Sequence, residues 1–513
     1  MINNYIFNTV KFLKPIQIYY RVFYLIRGRF RKSIGFKYQF FKYSNSYRLR
    51  LDNSIKIKSY YLNGEFRFLN LTKKFENKID WNFNSYGKLW CYNLTYFDFL
   101  SEKEDRLLID DFIENLPHIK DGLEPFPISL RCVNWIKFLT KYSIRDTKID
   151  ATLYAQYNIL MDNLEYHLLG NHLLENGFSL LFGAYYFHNN NFYYKSKKIL
   201  LEQLEEQILN DGGHFELSPM YHQIMLFRVL DAINLIKNNS WQNHELLNFL
   251  IKKAELMLSW IDAISYENGD IPMFNDSTID IAPTTNQLIE YAKKLNLKFT
   301  KIPLSDSGYR KITYKNYELI LDIGDIQANY IAGHTHADIF NFELRIKGKS
   351  FIVDRGITTY NRSKIRDIER STAGHNSVEI DNKSQSEVWD SFRVGNRGRV
   401  IDIKESKNSI EATHNGYIDT LHSRKWSFQE NKISIYDKLN KESNAIARLY
   451  FHYSISKTYI LEHIKIYNGS WKILDYQLST GFNSSTKAYY IEIYFSKYLN
   501  IDIYPRDTFN KLF

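Results

Sequence analysis

Between about residue 85 and residue 300 the apolar residues recur every three or four positions. FSLLFGAYYFHNN (178–190), KSKKILLEQLEEQILND (195–211), MYHQIMLFRVLDAINLIKNN (220–239) and LLNFLIKKAELMLSWIDAIS (246–265) all show it, and that spacing predicts amphipathic helices. Turn-forming clusters, HNNN, NDGGH, KNNSWQN and YENGD, separate them. The segments read as successive helical hairpins without a strict repeat.

After about residue 305 the period shortens to two. YKNYELILDIG, FNFELRIKGKSFIVD, HNSVEIDN, NSIEATHNG, KWSFQENKISIYDKL and IEIYFSKYL are short, alternating and rich in Ile, Tyr, Phe and Val, the pattern of an antiparallel sandwich. RIKGKSF predicts a hairpin turning at Gly348. A helical half followed by a strand half predicts a multidomain α+β chain whose seam is a natural ligand cleft.

Composition bounds this picture. With 513 residues, 44% of them apolar and 24% charged, the chain is globular and longer than one core usually fills. Aromatics reach 16%, which fits sugar-stacking surfaces or an AT-rich coding bias; the many Asn, Ile and Lys favour the bias. Cys91 and Cys132 alone give neither a disulfide framework nor a thiolate metal site. The start, MINNYIFNTVKFLKPIQIYY, lacks a signal-peptide pattern, and no apolar run reaches the ~18–20 residues of a membrane span. A cytoplasmic location is the expectation, with membrane association and a periplasmic location left open.

Charge is uneven. No Asp or Glu precedes Asp52, whereas 11 Lys and Arg do, Lys11 to Arg50. IQIYYRVFYLIRGRFRK interleaves aromatics with arginines. Residues 1–50 therefore read as a basic arm, either lying on anionic lipid or packed on its own domain with a solvated basic face. No recognition motif accompanies the charge, so nucleic acid is not the expected partner.

Three clusters hold the unusual polar residues. In LLGNHLLENGFSLLFGAYYF, Asn171 suits a helix N-cap, which leaves His172 and Asn176 unexplained, with Glu175 on the first turn. In NDGGHFELSPMYHQIML, Ser218-Pro219 reads as N-cap and N1, placing Tyr221 and His222 at the electropositive end, where a tyrosine pKa can fall. In AGHTHADIFNFELRIKGKSFIVDRG, an extended strand would put His334, His336 and Asp338 on one face, with Asp354 returning nearby and His375 starting another strand. Two His and an Asp suit Zn²⁺; a metal-free hydrogen-bonded cluster suits the spacing too.

The chain resembles the heparinase II/III-like polysaccharide lyases, including alginate-lyase-like relatives from surface-polysaccharide gene clusters. The matching stretches are LWCYNLTYFDFL, PISLRCVNWIKFL, GNHLLENGFSLLFGAYYF, DGGHFELSPMYHQIML, IPMFNDS, HTHADIFNFELRIKGKSFIVDRGITTY and RSTAGHNSVEIDNKSQSEVWDSFRVG, in family order. The resemblance implies an incomplete (α/α) toroid (51–304) followed by a β-sandwich (305–513), and β-elimination at a uronic acid of an anionic polysaccharide in capsule or O-antigen metabolism. By motif it implies Asn171 neutralising the carboxylate and His172 as base for one C5 epimer or a second carboxylate partner. Tyr221 would be acid, and base too in a syn geometry. His334 would reach in from the sandwich. It implies a structural Zn²⁺ on His336, Asp354 and His375, with His414, His422 and His452 as other third ligands. Arg131, Asn134, Glu175, Asn176 and His222 are candidate substrate contacts, Arg131 having helix-surface salt bridging as its alternative; Trp90 and Trp135 are candidates for sugar stacking or, more simply, core. Two rival readings remain: a glycoside hydrolase using Asp211, Glu216 or Glu175, and a non-catalytic glycan-binding or assembly factor.

Overall fold

A computed structural model describes residues 2–38, 45–52, 54–55, 60–242 and 244–506. Two helices, Ile2–Val10 and Pro15–Ser33, occupy the basic arm. A small antiparallel sheet follows, Tyr60–Leu62, Glu65–Phe68 and Leu71–Lys74. The hydrophobicity pattern does not announce it, because only Phe66 and Phe68 of its middle strand are buried, between charged neighbours.

The helical half contains Lys88–Tyr96, Arg106–Asn115, Pro125–Tyr142, Thr147–Asp162, Gly170–Phe187, Asn190–Gln207, Pro219–Asn238, Glu245–Ile264 and Thr285–Lys294. Pro125–Tyr142 pairs with Thr147–Asp162, Gly170–Phe187 with Asn190–Gln207 and Pro219–Asn238 with Glu245–Ile264 as hairpins. Alternate members, Lys88–Tyr96, Pro125–Tyr142, Gly170–Phe187, Pro219–Asn238 and Thr285–Lys294, also pack on one another in sequence. That is the two-layer arrangement of an (α/α) toroid. The two central inner members, Gly170–Phe187 and Pro219–Asn238, are the most deeply buried: every residue of Gly170–Phe187 except His172 is buried. Local signals set the boundaries. Ser218 accepts from the Tyr221 amide, with Pro219 at the first position, and Asp146 caps Thr147–Asp162 through the amides of Lys148 and Ile149. Trp90, Trp135 and Trp260 are fully buried, so Trp90 and Trp135 are core residues rather than sugar platforms.

The strand half holds three larger antiparallel sheets. One runs Tyr309–Tyr314, Tyr317–Asp322, Phe342–Ile346, Lys349–Ile352 in chain order. A second has the order Ser470–Gly481, Ser484–Phe495, Ala445–Tyr450, Val378–Ile380, and a bridge from Ile352 to Phe451 joins it to the first. The third has six strands, ordered Val400–Ser406, Ser409–Tyr417, Thr420–Gln429, Lys432–Leu439, Tyr498–Ile503, Ile464–Tyr467. Burial alternates along Thr420–Gln429, as a sheet with one face on a core requires. The inward residues, Trp426, Ile433 and Ile501 among them, share one core with Phe342 and Leu344 of the first sheet. The hairpin turn lies at Lys347-Gly348, both at positive φ.

Buried polar contacts join the halves. Asp211 Oδ2 accepts from the Ser305 and Ser307 amides (3.0 and 2.9 Å) and the Ser307 hydroxyl (2.6 Å). This fixes the connecting segment against the turn where Gly212 sits at φ +92°; a Cβ there would lie 2.1 Å from Leu256 O. Glu343 accepts from the Met273 amide and the Tyr266 hydroxyl, both at 2.9 Å.

Asp211→Ala strips two buried donors of Ser307 and the half-buried Ser305 amide of their acceptor. The expected loss is about 3 kcal/mol or more, seen as a lower thermal-unfolding midpoint, with Asp211→Asn intermediate.

Candidate active site

The site grows from three turns of strained backbone. Leu169, Leu217 and Asn275 have φ of +63°, +57° and +55°, a conformation that costs a non-glycine residue free energy and is held only where packing enforces it. Each is one or two residues from a polar group at the seam: Asn171, Glu216 and Asp276. Gly170, at φ +57°, sits so close to the sandwich half that a Cβ would lie 2.8 Å from Ile331 Cδ1 and 3.2 Å from Glu216 Oε1. The helix begins at Gly170 with Leu169 as N-cap residue. Asn171 is therefore inside the helix rather than capping it, and its amide is free to donate to Glu216 Oε2 (3.2 Å).

Asp276 is the hub. Its carboxylate is fully buried and accepts from Arg366 (2.5 and 2.8 Å), from His334 Nδ1 (2.9 Å) and from His336 Nε2 (2.8 Å). Burial alone would raise its pKa; the Arg366 guanidinium and both imidazoles reverse that and hold it well below the usual carboxylate range. A carboxylate only accepts, so His334 carries its proton on Nδ1 and leaves Nε2 as an acceptor, 3.7 Å from Glu216 Oε2. The Tyr221 ring stacks on His334 at 3.8 Å, and its hydroxyl lies 3.3 Å from that of Tyr360. Asn171, Glu216, His334 and Tyr221 thus form one chain of contacts across the seam. Residues 332–334 are a 3₁₀ turn and the strand starts only at Phe342. The expected extended strand through His334–Asp338 is absent; the loop turns both imidazoles onto one carboxylate instead.

A second acid–imidazole pair lies on the helical wall. His172 Nδ1 faces Glu165 Oε1 at 3.1 Å, and the ring packs on Phe126. Burial would lower its pKa, but Glu165 outweighs that and raises it. Asn176 is buried beneath, donating to Glu165 Oε2 (2.9 Å) and Ser129 Oγ (3.1 Å) while accepting from the Glu165 amide (2.8 Å). Its role is to position Glu165, not to meet a ligand.

Other expectations are corrected. Tyr221 has no depressed pKa: burial pushes it upward, only partly offset by the Tyr360 hydroxyl. Arg131 is fully buried; it donates to Gln156 Oε1 (2.7 Å) and Gly122 O (2.8 Å), and burial lowers it to about 10. It ties the helix Thr147–Asp162 to the backbone at Thr95 and Gly122, at the wall of a cleft that lies apart from Asn171, Tyr221 and His334, and among the described residues it forms no surface salt bridge. Glu175 is buried against Arg228 (2.7 Å). His222 is fully buried between the His214 amide and Met257 O, and burial pulls it down to about 3. Asn134 donates to Tyr96 O and lines a separate cleft of about 1110 Å³ with Lys137, Lys141 and Arg48. The sequence reading passed over Asp276, Arg366, Tyr360 and Glu165. The available signal was the pairing demand of His172, His334 and His336, which buried imidazoles meet with carboxylates.

His336, Asp354 and His375 share a buried pocket. The two rings are 5.2 Å apart, and His375 Nδ1 donates to Asp354 Oδ2 at 2.7 Å. His336 Nδ1, His375 Nε2 and Asp338 Oδ2 have no hydrogen-bond partner. Two imidazole nitrogens without hydrogen-bond partners in one buried pocket suit zinc chemically. As the side chains lie, no group of three or more His, Cys, Asp or Glu among the described residues is arranged to hold a metal ion. His414 and His422 instead bond each other, and His422 bonds Asp437.

Residues 134–299 match the Heparinase II/III N-terminus family and residues 299–475 the family described as Heparinase II/III-like, C-terminal. Among curated proteins, the heparin-sulfate lyase of Pedobacter heparinus is 27% identical over 214 residues, 36% of this chain and 31% of that enzyme. The heparin-sulfate lyase of Bacteroides thetaiotaomicron is 25% identical over 275 residues, 46% and 38% respectively. The chain therefore spans well under half the length of these relatives. Two solved heparinase III structures superpose with TM-scores of 0.62 and 0.59 at 14% and 16% identity. Both cover 84% of this chain, and 80% and 81% of theirs. They share its architecture of (α/α) toroid followed by β-sandwich.

Asp276→Ala leaves Arg366 and two imidazoles buried without their counter-charge; about 3–5 kcal/mol of stability should go, measured by denaturant unfolding. Because the folded pKa of Asp276 is depressed, its contribution is full above about pH 4 and fades as pH falls through the folded value. The advantage of the native chain over Asp276→Asn should therefore shrink below about pH 4.

Proposed function

The chain belongs to the heparinase II/III family, and we propose that it is a polysaccharide lyase cleaving a uronate-containing anionic glycan by β-elimination. The supporting observation is the contact chain from Asn171 through Glu216 and His334 to Tyr221. The reaction removes the C5 proton, forms the C4–C5 double bond and breaks the bond from C4 to its glycosidic oxygen. It needs a group to neutralise the uronate carboxylate, a base and an acid.

Each demand has a candidate. The Asn171 amide and Glu216 sit together where a carboxylate would be met. Glu216 is held above the usual carboxylate range by burial, against the pull of His334 and His172, and its Oε1 has no partner. A substrate carboxylate beside Glu216 would itself favour proton uptake there, which would let Oε1 donate to it instead of opposing it as a like charge. His334, oriented by Asp276, offers Nε2 to the C5 proton. His172, oriented by Glu165, presents a second imidazole that is 35% exposed and suits the opposite C5 epimer. Tyr221 enters as a neutral phenol, the form burial favours, and gives its proton to the departing O4. Base and acid are thus different residues, and a tyrosine serving as both is not required.

A zinc ion belongs to the same proposal. His336, His375 and Asp354 would hold it only after turning from their present contacts, in which Asp354 bonds His375 Nδ1; bound there it would supply rigidity beneath the His334 loop rather than a reacting group.

Tyr221→Phe and His334→Ala should each lower the rate of ultraviolet absorbance gain from unsaturated product by roughly 100-fold or more on a uronate polymer. An unchanged rate removes that residue from the mechanism, and saturated products with new reducing ends would replace elimination by hydrolysis.

Elemental analysis of the purified chain should find zinc, with chelation and His375→Ala both lowering the thermal midpoint. A metal-free chain insensitive to chelator ends the zinc assignment.

A further inference from the structure

The two N-terminal helices are amphipathic in the inverted sense. A surface helix normally turns its apolar stripe toward the core. In Pro15–Ser33 the stripe turned inward is Gln17, Tyr20, Tyr24, Arg27 and Arg31, three or four residues apart, and it attaches by hydrogen bonds. Gln17 Nε2 donates to Leu168 O (2.9 Å), Tyr24 OH to Leu164 O (2.6 Å) and Arg27 to Asp162 O (2.6 Å). The apolar residues face outward: Ile18, Val22, Phe23, Leu25, Ile26 and Phe30 are 40–61% exposed. Ile2–Val10 repeats the inversion. Asn8 donates to Glu387 and Thr9 Oγ1 accepts from Trp389 Nε1, while Ile6, Phe7 and Val10 face out, Phe7 at 69%.

The charge on this face is of one sign. Arg21, Arg29 and Lys32 are exposed on Pro15–Ser33, no acidic residue precedes Asp52, and among the described residues Asp162 pairs with the inward Arg27 and Arg31. No helix among the described residues is long and apolar enough to cross a membrane.

We propose that this face docks the chain peripherally on an anionic lipid surface, with both helices lying in the headgroup plane. Apolar side chains among unneutralised cations match such a surface in both chemistry and charge. A second copy matches it poorly, since self-pairing would set cations against cations. The same helices grip both sides of the seam: Gln17 Nε2 also lies 3.4 Å from Tyr330 O of the sandwich half. Docking would therefore hold the candidate site in a fixed relation to the bilayer.

The test is co-sedimentation of the full chain with vesicles of phosphatidylcholine plus phosphatidylglycerol, and with phosphatidylcholine alone. Binding should favour the anionic vesicles by roughly tenfold or more and weaken with salt. V22S/I26S/F30S and R29E/K32E change only exposed side chains; each should lower binding by roughly tenfold or more at an unchanged thermal midpoint. The proposal is overturned by indifference to anionic vesicles or by full binding of both variants. It is equally overturned if light scattering shows this face pairing two copies while vesicles are ignored.

Discussion

One buried carboxylate organises the seam. Asp276 comes from the loop between Glu245–Ile264 and Thr285–Lys294 of the helical half, and its partners Arg366, His334 and His336 all come from the strand half. An anion taken out of water is tolerable only when every lone pair is met and the charge is balanced, and here the other domain supplies that balance. The two halves are therefore coupled by necessity: neither can move from the other without exposing an unpaired charge. The same carboxylate fixes the tautomer of His334, so the bond that closes the seam also prepares an acceptor nitrogen at its centre.

The strain at Leu169, Leu217 and Asn275 follows from that arrangement. Helix starts leave backbone donors unsatisfied and aim them outward. Here sharp positive-φ turns bring the start of Gly170–Phe187 and the start of Pro219–Asn238 to the seam together, with Asn171 and Tyr221 on their first turns. Gly170 shows how tight the closure is, since no side chain fits between it and Ile331. Packing of the inner helices, buried on nearly every residue, is what can hold three unfavourable turns in register.

Periodicity made the architecture legible. The four quoted helical stretches lie on observed helices, and Ser218-Pro219 marks a true helix start, because these signals are local. What escaped was non-local. Asn171 suits a cap by type, yet a positive-φ Leu169 moves the helix start past it. His334 and His336 alternate as a strand would, yet the loop curls because Asp276 and Arg366, 58 and 90 residues apart from their partners along the chain, draw both rings to one point. Arg131 looked like a ligand because an anionic polymer suits arginine, and Glu175 because it lies on the first turn after Asn171; that both are buried against protein partners is invisible without the fold. The outward apolar face of the arm was legible only as composition, since which stripe of a helix is covered depends on its neighbour.

The inventory of carboxylates bears on the chemistry. Hydrolysis of a glycoside needs two carboxyl groups facing across a cleft, one ionised and one protonated. Of the three candidates, Asp211 is committed to the Ser305–Ser307 segment and Glu175 to Arg228. Glu216 alone reaches the contact chain. Its neighbour Asp276 is ionised, but with Arg366 and two imidazoles on it it is too strongly stabilised to attack or to accept a proton. The groups left with exchangeable protons and free lone pairs are two carboxylate-oriented imidazoles and a buried phenol. Such a set has bases of moderate strength and an acid that holds its proton until an alkoxide leaves. It suits abstraction of a carbon-bound proton beside a neutralised carboxylate better than displacement at an anomeric centre.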